Sequence, residues 1–174
     1  MSSFAPPLAA SSRRRRTRFA ILGALVVATT LLVAGCETES TGVEANVTSL
    51  HDNYLHKCAS CHAPAAAGRT SDTEQSLDFS TAEMTSKSLR EGKATGLKGN
   101  TAGCNDVPFV KAGKPELSLI VAVLDEDVRK AFDDPDHSSC DNTAISAMDI
   151  RAGGAPSAEF LTALKQWITD GAKP

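Results

Sequence analysis

Aromatic side chains are scarce in this chain. They make up 5% of its 174 residues, with one Trp, one Tyr and six Phe. A core built from its side chains alone has little of the large, rigid apolar surface that fills most domains. Alternating apolar and polar stretches are missing too, so nothing reads as a half-buried strand. No internal repeat is visible, which excludes solenoids and propellers. The longest apolar run, Phe19 to Ala34, is short of the about 20 residues a bilayer core requires. Acidic residues are absent before residue 36, where five of the 18 Lys and Arg lie. The rest of the chain then holds 13 basic against 21 acidic residues, a net charge of −8. Such a surface is a poor candidate for nucleic acid or anionic lipid binding; it suits a basic partner, or serves only to keep the protein soluble.

Residues 1–35 carry the layout of a secretory signal peptide. Arg13, Arg14, Arg15, Arg16 and Arg18 form a basic head, the apolar run follows, and small residues close it. A permanent membrane anchor is the other reading of that run. The spacing Arg15-Arg16-Thr17-Arg18-Phe19 fits a twin-arginine signal poorly. Val33-Ala34-Gly35-Cys36 resembles the lipobox of bacterial lipoproteins. That resemblance implies cleavage before Cys36 and acylation of its sulfur and new amino terminus. Several buried acyl chains hold a protein on a membrane far better than one, at about 0.8 kcal/mol per methylene. Residues 36–43 are then a small polar tether, and 44–174 the folded domain.

At the end of the tether, Thr41 and Glu44 match a capping box. Val47, Leu50, Tyr54 and Leu55 fall on one helical face, so a first helix is predicted over 43–58. Residues 63–76 and 92–113 read as loops. A short helix over 80–89, capped by Ser80 or Thr81, lies between them. Pro115 and Glu116 open a helix through Leu124. Residues 125–141 are acidic and poorly periodic. After Pro156 and Ser157, apolar residues at Phe160, Leu161, Leu164, Trp167 and Ile168 define a final helix closed by Gly171. The expected class is all-α, short helices joined by long loops. Such loops require an internal organiser to pack against.

Cys58-Ala59-Ser60-Cys61-His62 supplies a candidate organiser. It is C-x-x-C-H, the attachment signature of c-type haem. Two thiols three positions apart at a helix end reach two vinyl groups on one porphyrin edge, and the next residue, His62, brings its imidazole to the iron. A chance match is expected on the order of three times in a thousand chains of this composition, so the signal is specific. A thioredoxin-like dithiol calls for a βαβ context, which is lacking. A zinc site calls for a second C-x-x-C or paired histidines; Cys104 and Cys140 stand far apart, with only His137 near.

A second axial ligand is expected from Met or His. Met148 is favoured, because it sits in an irregular stretch before Gly153-Gly154-Ala155-Pro156 that can drape over a haem face. Met84, His137 and an open site are the alternatives. His51 and His56 read as surface or haem-edge residues. Outside the cytoplasm thiols are normally paired or ligated, so Cys104 and Cys140 form a candidate disulfide; two free redox thiols are the other reading.

These pieces together resemble single-haem class I cytochrome c domains, in particular those of bacterial envelope lipoproteins. The resemblance spans about residues 47–172 and rests on the helix into C-x-x-C-H, on Leu77-Asp78-Phe79-Ser80, on Gly113-Lys114-Pro115-Glu116-Leu117-Ser118, and on Met148 and the Trp167-Ile168-Thr169-Asp170-Gly171-Ala172 terminus. Only C-x-x-C-H is highly specific. The resemblance implies a cytochrome c-like fold in which Leu50 and Tyr54 face Leu164 and Trp167. It implies one covalent haem held by Cys58 and Cys61, with His62 and Met148 on iron. It also implies one-electron transfer to redox partner proteins of the cell envelope rather than enzymatic turnover. Asp149 departs from the proline that commonly follows the family methionine. If Met148 does not bind, the alternative function is a five-coordinate haem that binds a small gas or reduces peroxide, although no distal acid–base pair is recognisable.

Overall fold

Asn46 opens the first helix. Its backbone is extended and its side chain accepts from the Ser49 amide at 2.8 Å. The helix α1, Val47–Asn53, therefore starts later than predicted. It also ends earlier. Tyr54 leaves helical geometry at φ −152°, and the chain continues as a 3-10 turn over Leu55–Cys58 and then α2, Ala59–His62. No Gly or Pro marks this break. Tertiary contacts at Tyr54 coincide with it: the ring lies 4.9 Å from Phe160 and the hydroxyl bonds to Gly154.

The computed structural model describes residues 42–66, 77–148 and 153–174. They belong to a unit running from Glu39 to Pro174; a separate unit, Met1–Thr38, lies outside the described residues. The expected signal peptide, the lipobox, Cys36 and Thr41 are therefore outside them as well. Among the described residues no helix is long and apolar enough to cross a membrane.

Helix α3, Ala82–Glu91, is capped by the Thr81 hydroxyl, which accepts from the Met84 amide at 3.2 Å. The helix predicted from Pro115 is split in two. A 3-10 turn spans Pro115–Leu117, and α4 spans Leu119–Leu124. Between them lies Ser118, extended and fully buried, whose hydroxyl accepts from the Lys111 amide and donates to the Lys114 carbonyl, both at 2.9 Å. In the acidic stretch read as irregular, there is a helix α5, Glu126–Ala131. Asp125 caps it by accepting from Asp127 and Val128 amides, and Lys130 pairs with Glu126 at 2.7 Å. Helix α6, Ala158–Thr169, follows its prediction closely, with Ser157 as cap and Gly171 at φ +91° just beyond.

The described fold is thus all-α. Two isolated antiparallel bridges, Lys93 with Pro108 and Asp133 with Asp141, are its only extended pairings among the described residues. Helix α1 packs against both α3 and α6, and α4 against α5 and α6. Leu50, Leu55, Leu89, Val121, Leu164 and Ile168 are fully buried, and Trp167 nearly so. Burying each such side chain stabilises the fold by about 1.5–3 kcal/mol. Leu50, Tyr54, Leu164 and Trp167 share this core, with Phe160 as the aromatic neighbour of Tyr54.

Cys104 and Cys140 are disulfide-bonded, their Cα atoms 4.4 Å apart. This joins the 3-10 helix Gly99–Cys104 to the acidic loop. The approach is tight. A β-carbon at Gly103 would collide with the Ser139 carbonyl, which only glycine avoids.

Candidate functional site

Cys58 closes the 3-10 turn and Ala59 opens α2, both with right-handed helical backbone angles. The helical run is therefore unbroken from Leu55 to His62. Positions 58, 61 and 62 are i, i+3 and i+4 of that run, so they share one side. Cys58 and Cys61 are half-buried free thiols. Leu55 and Ala59 anchor the run to the core, and Cys58 itself packs against it.

The electrostatics at Cys58 run against thiolate chemistry. Burial pushes its pKa from 9.0 up to about 11, the neighbouring Cys61 adds to this, and Lys57 offsets it only in part. Activated redox cysteines have depressed values instead.

His62 ends α2 and is half-buried. Its carbonyl accepts from the Phe79 amide at 2.9 Å. Its ring meets the edge of Phe79, with centroids 6.0 Å apart and planes at 70°. The Phe79 carbonyl in turn faces Nε2 of His51 at 3.2 Å. His51 is half-buried, its side chain being 13% exposed. His56 is exposed, with Nδ1 on the His51 carbonyl. The link from His51 through Phe79 to His62 has no periodic sequence signature, because Phe79 lies outside the helices.

The structure brings Cys58, Cys61 and His62 together on one helical face. Met148 lies in the stretch between α5 and α6. It is half-buried, and its amide donates to the Val123 carbonyl at the end of α4 at 2.9 Å. Met84 is half-buried on the first turn of α3. His137 is engaged through Nδ1 with the buried carboxylate of Asp134 at 3.0 Å. Cys104 and Cys140 are paired with each other, apart from the motif. Among the described residues, no three His, Cys, Asp or Glu side chains gather as a metal-chelating group.

Two unpaired thiols and an imidazole on one helical face are the donor set needed for two thioether bonds and one axial bond. The residues present therefore fit a haem c. Neither family models, nor curated proteins, nor solved structures show a match to this chain.

Proposed function

We propose that this chain is an exported, lipid-anchored, mono-haem c-type cytochrome that passes single electrons between redox proteins of the cell envelope. The observation that carries this reading is the contrast between its cysteines. One pair is joined in a disulfide, while Cys58 and Cys61 remain thiols beside His62 on one helical face. When bound, the haem would supply a one-electron ferric–ferrous couple. Cys58 and Cys61 would hold it through thioethers, and His62 would provide the proximal nitrogen. Met148 is the proposed distal ligand, and a thioether there favours a higher potential than a second imidazole. Phe79, buried and packed against the His62 ring, would limit access of water to that imidazole. The packing of α1 on α6 supports a cytochrome c-like arrangement. Cys36 would carry the lipid, and the net charge of −8 would favour basic protein partners over nucleic acid.

Mass measurement of the exported protein tests the assignment. One haem and an acylated Cys36 add separate characteristic increments. Sharp α and β bands in the reduced spectrum, retained after acidified acetone, are the expected result. A colourless product, or a chromophore that acetone extracts, would end this reading. Rapid, complete carbon monoxide binding by the ferrous protein would remove Met148 as distal ligand.

A further inference from the structure

The segment around the buried Phe79 is held from three sides. Asp78 is pinned to α3, its amide donating to the Ser88 hydroxyl at 2.9 Å. The amide of Phe79 is taken by the His62 carbonyl, and the ring of Phe79 stands edge-on to the His62 imidazole. Phe79 is 2% exposed, so its carbonyl requires a protein partner. That partner is His51, from α1, across 28 residues of sequence. A carbonyl only accepts, so Nε2 of His51 carries the proton in this contact. On its other side, Nδ1 of the ring lies 3.1 Å from the Asp52 carboxylate. His51 is thus fixed at two points, and Phe79 is fixed at its amide, ring and carbonyl.

We propose that His51 is a positioning residue for the axial imidazole: by holding the Phe79 carbonyl it locks the Phe79 ring against His62 and so sets the plane of the imidazole. This rests on the haem reading given above. The physical basis is geometric. An imidazole on a metal keeps one free rotation about its bond to iron, and a packed aromatic edge restricts that rotation. Outer contacts that orient a ligating histidine tune the metal as well as hold it. Without His51, the Phe79 carbonyl loses its buried donor and the segment can pivot about its remaining bonds.

The test uses the full-length exported protein and the variants His51→Leu and His51→Gln. The wild-type mass is read first: absence of the haem increment overturns the function proposed above, separately from anything the variants show. Two readouts follow on the holoprotein, hydrogen exchange of the Phe79 amide and the pattern of ferric haem methyl shifts, which reports the axial ligand planes. In His51→Leu the Phe79 amide should exchange about tenfold faster, while the Leu164 amide in α6 keeps its rate. The methyl shifts should redistribute. Gln, whose side-chain amide can donate to the same carbonyl, should restore both. Unchanged Phe79 exchange, equal acceleration at Phe79 and Leu164, or failure of Gln to restore either readout would overturn the proposal. Should the Leu variant not accumulate, His51→Asn, whose amide is too short to reach the carbonyl, replaces it with the same outcomes.

Discussion

The hydroxyl of Tyr54 donates to the carbonyl of Gly154 at 2.6 Å, across 100 residues of sequence. Tyr54 stands four residues before Cys58, and Gly154 six after Met148. One bond thus ties the thiol-bearing helix to the segment following the proposed distal ligand. Gly154 sits at φ +123°, where a side chain is strained. Tyr54→Phe keeps the ring against Phe160 and removes only this bond. It should lower stability by about 1 kcal/mol in urea unfolding. In the ferrous protein it should also speed carbon monoxide binding, by loosening the Met148 segment. Gly154→Ala should cost about 1–3 kcal/mol through backbone strain.

Loss of the disulfide should act through the unfolded chain. Cys104 and Cys140 close a loop over a separation of 36 residues. In the loop-entropy model that is worth about 3–4 kcal/mol. Changing both to Ser should lower the denaturant midpoint accordingly while leaving the reduced spectrum unchanged. Loss of the low-spin bands would show that the two pairs of cysteines are not independent.

Acid should weaken the fold through Asp134. Its side chain is fully buried, within 3.3 Å of the Lys111 ammonium and 3.0 Å of the His137 ring. Burial alone would raise its pKa, but hydrogen bonds from the Asp136 amide, His137 and Lys111 outweigh it, and the net value lies below 3.8. A depressed carboxylate contributes stability above its unfolded pKa and loses it as pH falls through the folded one. Asp134→Asn should therefore cost about 2–4 kcal/mol at neutral pH. The gap from wild type should narrow below about pH 4. A constant gap between pH 7 and 2 would remove this role from Asp134.

Cys58 gives a prediction for polypeptide made without haem. With its pKa pushed to about 11 by burial, it should react with iodoacetamide at pH 8 about a hundredfold more slowly than an unfolded cysteine. The deficit should vanish in urea. Equal rates in folded and unfolded chain would mean that Cys58 is not held against the core.

Leu164 tests the packing of the domain. It is fully buried in the cluster that joins α1 and α6. Leu164→Ala should cost about 2–5 kcal/mol, measured as a lower unfolding midpoint.

Residue patterning alone determined much of this molecule. Helix α6 was legible from Ser157 to Gly171, because cap, apolar face and terminating glycine are all local signals. The all-α class and the grouping of Cys58, Cys61 and His62 were legible too, since side chains at i, i+3 and i+4 share a face wherever the backbone is helical. Tertiary structure decided the rest. Helix α1 stops at Tyr54 although its apolar spacing runs on to Leu55, and the partners of Tyr54 lie on distant segments. Helix α5 hides in an acidic stretch, held by the Asp125 cap and a bond from Lys165 to Asp125 at 2.6 Å. The link from His51 through Phe79 to His62 joins residues with no periodic relation. Local spacing encodes which side chains share a helical face; only the folded chain brings loop carbonyls and distant rings within bonding distance, because those contacts are set by packing rather than by repeat.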